Sequence, residues 1–198
     1  MKTKNVNGIN VRYQVEGSGP WVTLSHSLTC DLSMWDQLAE ALAPTFTVLR
    51  YDTRGHGGTT APEGAYSFEQ LTADLVGLLD ALGIERTHLV GLSMGGIIAQ
   101  HFALAAPDRL DKLVIANSTS RIPPEAGPLW DERIAIVRAR GCVGVAEGTL
   151  ERWFTPAFRA ARPDVMARIR ALIAGTPAAG YVGCASAIRH LDITARIG

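Results

Sequence analysis

Val90-Gly91-Leu92-Ser93-Met94-Gly95-Gly96 decides how this 198-residue chain is read. On its N-terminal side His88 to Gly91 is a short apolar run that reads as a strand, and on its C-terminal side Ser93 toward Ala106 reads as a helix stopped by Pro107. A Gly-x-Ser-x-Gly between a strand and a helix is a hairpin so sharp that side chains flanking the serine would clash, and glycine removes them. Ser93 can then hold a strained backbone conformation with its hydroxyl exposed at the carboxyl end of the strand, as a nucleophile requires. The Met94 N–H opens the helix, where unpaired amides and the helix dipole favour negative charge, so it is the expected first donor of an oxyanion hole. The competing reading is a helix packed closely on a strand, with Ser93 only as its N-cap.

On either side, strands alternate with helices. Asn10 to Glu16 reads as an alternating strand, and Trp21 to Ser25, Thr45 to Tyr51, His88 to Gly91 and Lys112 to Ala116 read as buried parallel strands. Trp35 to Leu42 is helical. Ser67 opens a longer helix as a capping box with Gln70, with Phe68, Leu71, Leu75, Leu78, Leu79 and Leu82 as its apolar stripe and Gly83 placed to end it. This order predicts a mostly parallel α/β sheet with right-handed crossovers. After Ser118 the character changes. Residues 121–128 form a Pro-rich linker, and only helical patterns follow, around Leu129 to Arg140, Val143 to Trp153, Arg162 to Ala174 and Ala178 to Leu191. Ala157 to Ala174 reads as one exposed amphipathic helix. The expected division is an α/β core over residues 1–118 and a helical lid over 119–198.

Composition removes several function classes. Nineteen Lys and Arg balance nineteen Asp and Glu, and the isoelectric point is near 7.0, so no overall field attracts nucleic acid or anionic lipid. With 47% hydrophobic residues, a chain of 21.2 kDa can build a real core. Compact folding would leave about 9,000 Å² accessible out of roughly 30,000 Å². Cys30, Cys142 and Cys184 are odd in number and lack ligand spacing, which argues against disulfides and zinc and fits reduced thiols in a cytoplasm. The polar start Met1 to Asn5 is no signal peptide, and no apolar run reaches about 18 residues, so no membrane span is expected.

The second oxyanion donor should come from the loop after the strand Trp21 to Ser25, where Leu28 in Ser25-His26-Ser27-Leu28-Thr29-Cys30 is the candidate amide. His26 reads as a hydrogen-bonder that orients this loop, and Cys30 as a small buried residue. In Asp52-Thr53-Arg54-Gly55-His56-Gly57, Asp52 and Arg54 are near enough to pair locally and stiffen the turn. His88 and His101 read as a strand-opening residue and a helix-surface residue, and His190 as structural.

Tyr51 to Gly57, Gly91 to Gly96, Pro107-Asp108-Arg109-Leu110 and Asn117-Ser118 together resemble the α/β-hydrolase superfamily. Within it, Leu150-Glu151-Arg152-Trp153-Phe154-Thr155-Pro156 and Thr176 to Tyr181 are similar to the lid of 3-oxoadipate enol-lactonases. The resemblance implies an α/β-hydrolase fold with the lid after the sixth strand, and a triad whose acid and histidine follow the lid. The chain stops at Gly198, so the last strands, the acid and the histidine are expected to be absent from it. Alone it should be nearly inert, because losing the histidine of such a triad costs on the order of 10⁶ in kcat in a protease of another fold. A sheet ending at the sixth strand would expose an apolar edge, and a complementary C-terminal chain carrying acid and histidine is the expected partner.

The implied activity is hydrolysis of a small carboxylate-bearing enol-lactone through an acyl-enzyme on Ser93, in aromatic-acid breakdown, with no metal or organic cofactor. The alternatives are a small-ester hydrolase or perhydrolase of the same fold and a non-catalytic ligand-binding homologue. Specificity should lie in the lid, where Trp130 and Arg133 share a helix face and Trp153 with Phe154 ends the next helix. An apolar pocket with one cation would result, Arg133 holding the substrate carboxylate. The equally open reading is that these aromatics pack the lid onto the core and Arg133 is solvated.

Overall fold

In a computed structural model describing residues 1–197, the chain begins with a hairpin that hydrophobic patterning only half reveals. β1 (Lys2–Val6) and β2 (Ile9–Gly17) pair antiparallel across Asn7-Gly8, both in the left-handed region (φ 48° and 78°), as a two-residue primed turn demands. Of β1 only Val6 is buried, so it shows no apolar period; the Asn-Gly pair was its one usable signal.

β3 (Trp21–Ser25), β4 (Thr47–Tyr51), β5 (Thr87–Leu92) and β6 (Leu110–Ala116) complete a six-stranded sheet in the order β1-β2-β4-β3-β5-β6. β4, β3, β5 and β6 run parallel, while β1 and β2 add the antiparallel edge. The strand order reverses at β3, since β4 lies on one side of it and β5 on the other. At such a switch the loops leaving the two strands diverge and open a crevice at their carboxyl ends. Ser25 and Gly91 are register partners there, so the loop after β3 and the turn after β5 face each other.

Helices cover both faces. α1 (Asp36–Leu42) buries Ala39 against Val22, Leu24 and Val48. α2 (Phe68–Ala81) and α3 (Met94–Ala105) cover the other face, where Leu71, Leu75, Leu78, Leu79 and Phe102 are almost wholly buried. Ser67 Oγ accepts from the Gln70 N–H at 3.1 Å and Gly83 takes φ 69°, so this helix starts and stops where its capping residues dictate.

After β6 come α4 (Gly127–Arg140), α5 (Val143–Trp153), α6 (Pro156–Ala161), α7 (Pro163–Ala174) and α8 (Ala178–Arg189). The ends of this helical excursion meet: Ile122 N–H donates to the Leu191 carbonyl, and Ile193 N–H to the Ser120 carbonyl, each at 2.9 Å. α4 packs on α8, with Arg189 Nη2 on Asp131 Oδ2 at 2.7 Å. No single helix among the described residues is long and apolar enough to cross a membrane.

Three expectations need correction. β6 is parallel to β5 but not buried, with Val114 51% and Ile115 43% exposed, because no further strand flanks it among the described residues. Ala157 to Ala174 is not one exposed helix. Pro163 has no N–H and pushes Arg162 out of the helical region (φ −129°, ψ 61°), splitting the run into α6 and α7, and Met166 and Ile173 of α7 are buried against Ala146 and Leu150. His101 is buried rather than on a helix surface, its ring stacked on Phe68 at 5.1 Å. The proposed lid reaches Gly198, which lies outside the described residues.

Candidate active site

Ser93 sits between β5 and α3 at φ 54°, ψ −114°, a conformation that L residues avoid and that persists only where its surroundings enforce it. The glycines around it are sterically required. A Cβ on Gly91 would fall on the Gly95–Gly96 peptide, and one on Gly95 would strike the Ser25 carbonyl and lie 2.9 Å from that of His26. The elbow is also tied down by hydrogen bonds: Ser93 N–H donates to the Ala116 carbonyl at 3.0 Å, and Ser118 Oγ donates to the Ser93 carbonyl at 2.8 Å.

The loop after β3 is positioned by His26. Buried and held neutral by desolvation, its ring donates from Nδ1 to the Ser27 carbonyl at 2.8 Å, while Nε2 accepts the Thr53 N–H at 2.9 Å. Thr29 follows at φ 66°, and the Cys30 N–H closes a turn onto the Ser27 carbonyl at 3.1 Å. Among the described residues neither the Leu28 nor the Met94 N–H donates to a protein acceptor, as an oxyanion hole requires. Cys30 is buried and desolvation pushes its thiol up to about 12, so it is inert.

Asp52 and Arg54 do not pair with each other; each has a partner from a distant segment. Asp52, fully buried, takes Arg12, the Leu32 N–H at 2.8 Å and the Gly58 N–H at 2.7 Å. Arg54 grips Asp74 on α2 at 2.6 and 2.8 Å. The two side chains of a tight turn diverge, and fixed partners on neighbouring elements outcompete a local pair that would have to close on itself. His56 is buried 5.3 Å from the His26 ring, and burial holds its pKa down to about 3. His26 has both ring nitrogens hydrogen-bonded, neither His26 nor His56 lines a cavity that Ser93 borders, and among the described residues no side chain hydrogen-bonds to Ser93 Oγ.

Ser93 borders two cavities. The smaller, of about 170 Å³, is also lined by Leu28, Trp130, Arg133 and Trp153. The larger, of about 630 Å³, has Trp153 and Phe154 on its wall, with Asn117 from the end of β6. The side chains singled out in the sequence thus converge on Ser93 from three separate segments. Arg133 lies over the Trp130 ring at 5.2 Å, as a helical spacing of three allows. Arg152 and Tyr181, which sequence reasoning passed over, line the smaller cavity too. Both lie within the lid-like segments, but nothing in their spacing says which way they face.

The profile of the family described as the alpha/beta hydrolase fold matches residues 20–155. The chain belongs to this family. Among α/β hydrolases, 3-oxoadipate enol-lactonase 2 of Acinetobacter baylyi is 34% identical over 174 residues, covering 88% of this chain and 64% of that protein. The enol-lactonase from Burkholderia xenovorans LB400 superposes with a TM-score of 0.93 at 40% identity, over 98% of this chain and 76% of its own. The malate-bound thermophilic esterase from Thermogutta terrifontis does so at 0.89 and 30%, over 96% and 71%. This α/β hydrolase chain therefore spans 64% of the length of the first of these relatives.

Proposed function

We propose that the protein is a serine hydrolase that opens a small carboxylate-bearing enol-lactone of the 3-oxoadipate type. The observation that carries this reading is the strained Ser93 facing a cavity together with the unpaired Leu28 and Met94 amides. Similarity to two enol-lactonases supports the substrate class. Ser93 Oγ attacks the lactone carbonyl, giving up its proton to a base, and the two amides hold the oxyanion. The C–O bond of the ring breaks and the ring oxygen leaves as an enolate. An enolate leaves more readily than a simple alkoxide, so this step demands little acid catalysis, and protonation followed by tautomerisation gives the ketone. Water then hydrolyses the acyl-enzyme.

In this reading α4 to α8 form the lid, with Trp130, Trp153 and Phe154 as apolar walls and Arg133 as partner of the substrate carboxylate. Residues following Gly198, or a second chain, supply the acid and histidine. Three free, buried cysteines support a cytoplasmic setting. The esterase relative supports the nearest alternative, a small-ester hydrolase.

The test is turnover of an enol-lactone by the chain alone and after addition of a C-terminal segment bearing the missing strands, acid and histidine. The lone chain should be nearly inactive, and the reconstituted one active and silenced by Ser93→Ala. Turnover by the lone chain that disappears with Ser93→Ala would overturn the expectation of a missing base. Faster turnover of uncharged aryl esters would favour the esterase.

A further inference from the structure

Arg152, on α5, borders both Ser93 cavities. Its recorded partner is the Thr149 hydroxyl, one turn back on the same helix, at 2.9 Å. Most arginines of the chain hold a carboxylate, as Arg54 holds Asp74 and Arg170 holds Glu147. Arg133 and Arg152 hold none among the described residues, although they come from adjacent helices and line the same 170 Å³ cavity. Two guanidiniums facing one small space repel each other; burial, and then the charge of Arg133, lower the pKa of Arg152. An anion between them would remove the repulsion and gain charge-assisted hydrogen bonds from both. No carboxylate in the cavity wall competes for that place, since its other members are Ser27, Thr29, Ser93, Thr149, Tyr181, Leu28 and two tryptophans.

We propose that Arg133 and Arg152 together form a two-guanidinium clamp for a carboxylate, and that Arg152 is the specificity residue that admits anionic lactones and esters to Ser93. This rests on the hydrolase reading for what happens at the carbonyl, but the clamp itself is a binding site and exists without turnover. Because the cavity is small and Ser93 lies on its wall, the carboxylate sits on a short arm, a few carbons from the scissile carbonyl.

Calorimetric titration of the 198-residue chain with levulinate, a short keto-carboxylate, tests this without any chemistry. Levulinamide, uncharged and of the same shape, is the control. Levulinate should bind at least about tenfold tighter than levulinamide. Arg152→Gln and Arg133→Gln should each weaken levulinate at least about tenfold, roughly the 1.4 kcal/mol that a tenfold change represents, and leave levulinamide within about twofold. Arg138→Gln, an exposed arginine of α4 that lines neither cavity, should change nothing. If Arg152→Gln does not fold by circular dichroism, Arg152→Met replaces it. Levulinate affinity unchanged in Arg152→Gln, or weakened equally by Arg138→Gln, overturns the clamp. Enol-lactone turnover of the reconstituted enzyme separates the two ideas. A working Ser93 with no Arg152 effect sinks only the clamp, and a working clamp without turnover sinks only the hydrolase.

Discussion

Ser118 Oγ donates to the backbone carbonyl of Ser93 at 2.8 Å, so the residues after β6 help to hold the elbow that follows β5. The same serine limits what can stand beside the elbow. A Cβ on Gly96 would sit 2.7 Å from Ser118 Cβ and 2.8 Å from its Oγ, whereas real contacts of this kind are longer.

Gly96→Ala is therefore expected to destabilise the chain by about 1–3 kcal/mol through overpacking. In a Ser118→Gly background the penalty should fall by at least about 1 kcal/mol, because the obstructing side chain is gone. Urea unfolding of the four members of the cycle measures this. Additive losses would show that the two positions do not press on each other.

The oxyanion hole is built from backbone, so it is insensitive to most side-chain changes. Leu28→Pro removes one N–H and should lower kcat of the reconstituted enzyme about 10²-fold, roughly 3 kcal/mol, with KM for the lactone less affected. An unchanged kcat would assign the second donor elsewhere.

Arg54 and Asp74 are each 6% exposed, and breaking a pair this deep leaves one charge uncompensated. Arg54→Met should cost about 3–5 kcal/mol, whereas Arg54→Met with Asp74→Asn should recover part of the loss by removing the stranded carboxylate. Thermal unfolding reads both. The double variant proving less stable than Arg54→Met would show that the ion pair is not what the single change disrupts.

His56 makes stability depend on pH. It stays neutral in the fold down to about 3, while in the unfolded chain it protonates near 6.5. Below pH 6.5 the unfolded state therefore binds the extra proton, and stability should fall by about 1.4 kcal/mol per pH unit as pH drops toward 3. His26 is shifted in the same direction by the same burial. Above pH 6.5 neither contributes a slope. Urea midpoints at pH 7, 6 and 5 should fall steadily for the wild-type chain and less steeply for His56→Gln; parallel slopes would place the effect on other groups.

What the sequence alone determined is what short-range periodicity and local sterics control. The glycines of residues 91–96 leave Ser93 one geometry between a strand and a helix, and the leucine stripe of α2 with Ser67 and Gly83 at its ends is a helix whatever surrounds it. Pro163 also carried a local signal, the break between α6 and α7, which the amphipathic pattern across it concealed. What only the tertiary structure decided are contacts between segments far apart in the chain. Asp52 chose Arg12 over its neighbour Arg54, His101 went under Phe68, Val114 and Ile115 stayed exposed on a strand that reads as buried, and Arg152 turned toward Arg133 and Ser93. Residue type and spacing say that a guanidinium or an imidazole is present on an element. Which face that element turns to the core, and what waits there to pair with it, depends on how strands and helices from distant segments pack together.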